Sequence, residues 1–186
     1  EYREKAPQLE QLVFRPGTVL GAETDNQITA LFEGPIILGI RGSDTPFVFI
    51  WDHDVVSCLL LGITTDRTGI YNLAGDGVVT MRQIAGIVGR PYLPLPVWSV
   101  RGGLFLLRKV GLTPYGPEQV DFLRYRPVLS NRRLKEEFGY RPEKTSLETF
   151  HFYLEARRRR AGGLRRGGEA AGVPGKDGCP SAAETR

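Results

Sequence analysis

Apolar residues recur along the chain in short runs separated by Gly, Pro, Asp and Asn, and their periods alternate between strand and helix. Leu12-Val13-Phe14 runs into Arg15-Pro16-Gly17 and reads as a short buried strand after a brief helical segment, Glu1 to Gln11. A strand apolar on both faces requires parallel neighbours on each side, and no upstream segment supplies them. Thr24-Asp25-Asn26-Gln27 has the spacing of a capping box before a helix carrying Ile28, Leu31 and Phe32, which Gly34-Pro35 stops. Ile36–Ile40 and Phe47–Trp51 are β-like. Asp52 or Asp54 then caps a helix from about Val55 to Ile63.

Gly69–Leu73 reads as a strand, and Thr80-Met81-Arg82-Gln83 as a second capping box whose helix closes at Gly89. Pro91 to Pro96 is an extended connector. Helices are expected near Trp98–Val110, at Pro117–Tyr125, at Asn131–Phe138, and after the cap Thr145-Ser146-Leu147-Glu148, with a short strand at Val128-Leu129. From Arg157 onward large apolar residues become sparse, and residues 157–186 are expected to be a disordered basic tail. The alternation of strand and helix makes this an α/β chain.

Composition narrows the picture little. The 186 residues are 41% hydrophobic and 25% charged, as in an ordinary globular protein. Net charge is +4, but residues 157–186 carry +5 and the remainder −1, so the basicity belongs to the tail. The arginine run there has no interleaved aromatics, and nucleic acid is not an expected partner. No apolar run approaches the roughly 20 residues of a spanning helix, and no membrane partner is expected. Two cysteines make no disulfide framework, and a reduced, cytoplasmic setting is expected. The expected partners are a small-molecule substrate and at most a second copy of the chain.

The motifs exclude more than they assign. Gly75-Asp76-Gly77-Val78-Val79-Thr80 follows a strand and opens a helix, as a dinucleotide loop does. It lacks the third glycine and the acid about 20 residues later, and an ordinary turn is the preferred reading. His53 and His151 stand without Cys or His at ligand spacing, so no metal site is expected.

Five segments then point to a family by their order. Arg15-Pro16-Gly17-Thr18-Val19-Leu20-Gly21, Phe47 to Val56 with Asp54-Val55-Val56, Tyr71-Asn72-Leu73-Ala74-Gly75, Leu129 to Gly139, and Gly139-Tyr140-Arg141-Pro142 with Ser146 occur here as in the second half of extended or atypical short-chain dehydrogenases. Over residues 1–156 the chain resembles this NAD-dependent epimerase/dehydratase group. The resemblance implies the end of a Rossmann-like domain at 1–21, a small α+β substrate-binding lobe at 22–156, and NAD or NADP as cofactor of the full-length form.

It also implies roles. Pro16, Gly17, Thr18 and Val19 would meet the nicotinamide end of the cofactor, or form only a turn at a strand end. The family's catalytic Tyr-x-x-x-Lys pair maps onto Lys5, with Tyr2 one residue out of step and Glu1 in the tyrosine's place. Nine residues separate Lys5 from Arg15, fewer than a helix and crossover need, and Lys5 as a plain surface residue is the alternative. Where nucleotide-sugar members carry Arg-Asp and His, this chain has Phe47, Val48 and Trp51. Those rings either wall a pocket for a less charged substrate or pack in the core. Asp54 is weighed chiefly as a helix cap beside the cleft.

The implied protein moves a hydride between NAD(P) and a carbonyl or hydroxyl carbon of a small apolar or sugar-derived substrate. The present chain is expected to be inactive alone. The alternative is a non-catalytic member that binds a small ligand or a partner.

Overall fold

The structure is a computed structural model that describes residues 8, 10–43, 46–111 and 126–169, with side chains omitted at 107 and 162–169. Of the expected helix at 1–11 only residues 8, 10 and 11 are described, and none is helical; the expected helix at 117–125 and the positions of Tyr2 and Lys5 lie outside the described residues. The elements are β1 (Leu12–Pro16), β2 (Thr18–Leu20), α1 (Gln27–Ala30), β3 (Ile37–Ile40), β4 (Pro46–Phe47), β5 (Phe49–Trp51), α2 (Asp52–Ile63), β6 (Gly69–Leu73), β7 (Val79–Thr80), α3 (Met81–Val88), β8 (Tyr92–Leu95), α4 (Val97–Lys109), α5 (Arg132–Glu136) and α6 (Ser146–Glu169). The chain is mixed α/β.

The strand pairs are β1–β6, β2–β5 and β3–β8, all parallel, and the antiparallel β4–β7. β1 thus finds its parallel neighbour downstream, with Phe14 opposite Tyr71. Its other edge has no partner among the described residues. Val13 is 38% exposed, so β1 is not buried on both faces as its composition suggested.

Two positions decide how the pairs join. At Gly17 the chain leaves β6 and takes up β5: the Gly17 N–H donates to Leu73 O at 2.9 Å, and the Thr18 N–H to Val48 O at 3.3 Å. At Val48 the opposite segment changes partner too, from β7 to β2. β5 then divides two cores by simple alternation. Phe49 faces a cluster with Leu20, Phe32, Phe47, Ile84 and Phe150, while Ile50 faces Cys58, Tyr71, Leu73, Leu134 and Phe138. In the first, Phe47, Phe49 and Phe150 stack at 5.5–5.9 Å, and Phe32 meets each ring edge-on.

Several expectations change with the long-range contacts in view. Tyr92–Leu95, read as a connector, is a strand beside β3; among the described residues it is paired on one side only, where Pro94 loses little by lacking an N–H. Val128-Leu129 forms no strand. The first capping box uses Asn26 with Thr29, because Thr24 Oγ1 is taken by the Gly21 N–H. The Thr80–Gln83 and Thr145–Glu148 boxes form as read. The last helix does not stop at Arg157 but continues to Glu169, and Arg157 itself is held by Glu33 and the Tyr153 hydroxyl. Residues 170–186 lie outside the description.

Candidate functional site

The double change of strand partner opens a crevice at the carboxyl end of β1. Pro16, Gly17, Thr18, Val48, Arg126, Pro127 and Leu129 line it around a cavity of about 170 Å³. Gly17 is needed for a close approach: a Cβ there would lie 3.3 Å from Val48 O and 3.5 Å from Leu73 O. Three of the four residues read as cofactor-binding, Pro16, Gly17 and Thr18, meet in this crevice. Val19 alternates to the other side and packs with the Ile50 core. The amides of Gly17 and Thr18 already donate to backbone carbonyls. The backbone at Gly17 and Thr18 therefore offers oxygen atoms rather than N–H donors, which removes part of the reason for assigning a carboxamide to it.

Arg126 is the residue that sequence reasoning missed. Its Nη2 donates to Thr18 Oγ1 at 2.8 Å, and its guanidinium lies 4.3 Å from the Phe47 ring centroid. Burial holds it below the ordinary arginine value. Phe47 itself is fully buried in the core and so does not wall a pocket; it is the apolar seat of a cation. The resemblance places an arginine at the position of Phe47, whereas here a cation reaches that ring from a segment 79 positions later. No local pattern announces it.

Trp51 points elsewhere. Its ring stacks on His53 at 4.7 Å and receives the Lys144 ammonium at 4.0 Å, and its Nε1 is buried without a hydrogen-bond partner. Trp51 and Asp54 are both absent from the crevice lining.

Asp54 is not a cap. Helix α2 begins at Asp52 with Trp51 at its N-cap position and no side-chain cap bond. The Asp54 carboxylate is fully buried, and Oδ1 accepts from the Tyr140 hydroxyl at 2.8 Å and the Glu143 N–H at 2.9 Å. It ties α2 to the Gly139–Pro142 turn. Burial, and then the Asp54 carboxylate, raise the Tyr140 phenol above its usual range. Cys58, one turn along, is buried, and its thiol is pushed up to about 12 by burial first and the Asp54 charge second. Cys58 is expected to stay unlabelled by iodoacetamide at neutral pH until the chain unfolds, a result read by peptide mass spectrometry. Labelling at the rate of a free thiol would contradict this packing.

The Gly75–Thr80 segment is a structural turn. Gly75 N donates to Phe49 O, Asp76 O accepts from the Ser146 N–H, and Gly77 O accepts from the Ser146 hydroxyl. Asp76 is drawn below its usual range by Lys135 and Asn131, which bond its carboxylate. The bonds to Phe49 and Ser146 hold the turn against β5 and α6. Among the described residues, no cluster of three His, Cys, Asp or Glu is placed to hold a metal ion. None of their helices is long and apolar enough to cross a membrane.

Against this geometry, comparison with known proteins is informative chiefly about fold. UDP-glucose 4-epimerase of Thermotoga maritima superposes with a TM-score of 0.57 at 18% identity, over 86% of this chain and 50% of that one. DesIV, a dTDP-glucose 4,6-dehydratase of Streptomyces venezuelae solved with NAD and TYD bound, gives 0.55 at 17% identity, over 87% and 48%. The fold is shared with NAD-dependent epimerases and dehydratases. An uncharacterized Mycobacterium tuberculosis protein, Rv0501, is 26% identical over 153 residues, covering 82% of this chain and 41% of its own length. A second, Rv2047c, is 27% identical over 156 residues, 83% of this chain and 17% of its own. No protein-family profile matches. The chain thus spans about half the length of the solved epimerase/dehydratase structures and less of its sequence relatives.

Proposed function

We propose that this chain is the substrate-side part of an NAD(P)-dependent oxidoreductase or epimerase, acting on a carbonyl or hydroxyl carbon of a small sugar-derived or apolar substrate, and inactive alone. The observation that carries this is the crevice at Gly17. Open α/β sheets bind ligands beyond the carboxyl ends of parallel strands where the strand connections diverge, and β1 ends in such a place. Arg126 supplies that crevice with a desolvated cation, which suits a substrate bearing a phosphate or carboxylate at one end.

NAD or NADP, when present, supplies the hydride acceptor or donor. Pro16, Gly17 and Thr18 would bound its nicotinamide end through carbonyl and hydroxyl oxygens, and the Gly75–Thr80 turn lacks the third glycine of a dinucleotide loop. Lys5 is the proposed catalytic residue, with Tyr2 as its partner. Phe47 acts through Arg126, which it seats, and Asp54 by fixing the Gly139–Pro142 turn.

Titration calorimetry of this chain with NADH and NADPH is expected to show no micromolar affinity; finding it would overturn the claim of inactivity alone. UDP serves as the substrate-side probe. It is expected to shift the amide resonances of Thr18 and Leu129, and Arg126→Met to weaken that binding by about tenfold or more. Unchanged binding in the variant would remove Arg126 from the site.

A second reading, a non-catalytic ligand-binding member of the fold, is favoured by the spent amides of Gly17 and Thr18. The coding sequence upstream of Glu1 separates the two. A Gly-x-x-Gly-x-x-Gly segment after a strand supports the enzyme, and its absence sinks it.

A further inference from the structure

Helix α4 breaks the usual rule for a surface helix, which turns charge outward and apolar residues inward. Its inner stripe, Val97, Val100 and Leu104, is half-buried, and Val100 and Leu104 face Ile36 and Leu38 across an apolar cavity of about 300 Å³. Its outer face should then be polar. Instead Trp98 is 76% exposed, and Phe105, Leu106 and Val110 are each near 60%. Trp98 and Phe105 fall on one stripe with Lys109, and Arg101 and Arg108 fall beside it.

Along the sequence here the charge has one sign. From Gly77 to Pro117 the sequence contains no Asp or Glu but five cations, Arg82, Arg90, Arg101, Arg108 and Lys109. On the β3–β8 pair, Leu38 and Leu93 are also 53% and 43% exposed.

We propose that α4 is a membrane-surface helix that docks this protein onto anionic phospholipid. At 13 residues it is about 20 Å long, too short to span a bilayer but suited to lying in its interfacial plane. Tryptophan with its amphipathic ring is favoured at that depth, and Lys109 on the same stripe reaches the headgroups. A protein partner or a second copy would also cover apolar side chains. A 41-residue stretch free of acids suits an anionic lipid surface better than an ordinary protein surface of mixed charge. The lack of a spanning helix does not bear on this, because a surface helix needs no spanning length. The inference stands apart from the crevice reading and survives its failure.

The test uses the full chain with vesicles of phosphatidylcholine alone or mixed with phosphatidylglycerol. Cosedimentation is expected with the anionic vesicles only, reversed by high salt, with a blue shift of Trp98 emission read in a Trp51→Phe background. Lys109→Glu is expected to weaken binding roughly thirtyfold, two charge units near an anionic surface. Trp98→Ala with Phe105→Ala is expected to abolish it, while circular dichroism and unfolding midpoint stay unchanged because both side chains are exposed. Failure to bind either vesicle overturns the proposal, as does equal binding by the double variant. A dimer that shields Trp98 without lipid, seen by sedimentation velocity, assigns the face to a second copy and also overturns it.

Discussion

Gly75→Ala is expected to destabilise the chain by about 3 kcal/mol, the upper end for overpacking a close contact. The cause is backbone on three sides. A Cβ at this position would lie 2.7 Å from Phe49 O, 2.9 Å from Lys144 O and 2.9 Å from Ser146 N. None of these is the far end of a flexible side chain. Each belongs to a different part of the fold: β5, the loop before α6, and the first residue of α6. Moving any of them disturbs the bonds through Ser146, whose hydroxyl accepts from the Phe49 N–H and donates to Gly77 O. Urea unfolding followed by circular dichroism checks this, with an unchanged denaturant slope marking a true stability loss. A cost below about 1 kcal/mol would mean that the 74–78 turn yields and that the junction is looser than described.

Asp54→Ala carries the second large expectation, again about 3 kcal/mol. Two buried donors, the Tyr140 hydroxyl and the Glu143 N–H, lose their acceptor, and each unsatisfied group costs about 1–3 kcal/mol. Some of that is returned because a buried charge is removed, and its Oδ2 has no partner. Tyr140→Phe removes one of the two donors and is expected to cost less. The double variant should fall short of additivity by about 1.5–3 kcal/mol, the worth of a hydrogen bond to a charged group. Additive losses would show that Asp54 and Tyr140 act separately, and the tie between α2 and the 139–142 turn would fail.

Local chemistry was readable from the chain, and distant pairing was not. The Thr80–Gln83 and Thr145–Glu148 boxes were legible because a capping box is complete within four residues. Gly89 was read as a stop, and it adopts the left-handed conformation at φ 70°. Asp54 was misread for the opposite reason. An aspartate just before an apolar helix looks like a cap, and only the arrival of Tyr140, 86 positions later, makes it an acceptor for something else. Tyr92–Leu95 was passed over because Pro94 argues against a strand until β3 is known to lie on one side only. At the crevice, Pro16-Gly17-Thr18 could be found by motif. Arg126 could not, since nothing in Tyr125-Arg126-Pro127 says that its guanidinium rests on Phe47.

The placement of β5 has a consequence for how the chain comes apart. Phe49 and Ile50 are consecutive, yet they belong to different hydrophobic interiors. A three-residue strand cannot release one without turning its backbone and dragging out the other. The two interiors therefore share one cooperative unit, and their amides should exchange with solvent at a common free energy rather than as separate halves. Loss of the ladder between β2 and β5 would empty both at once.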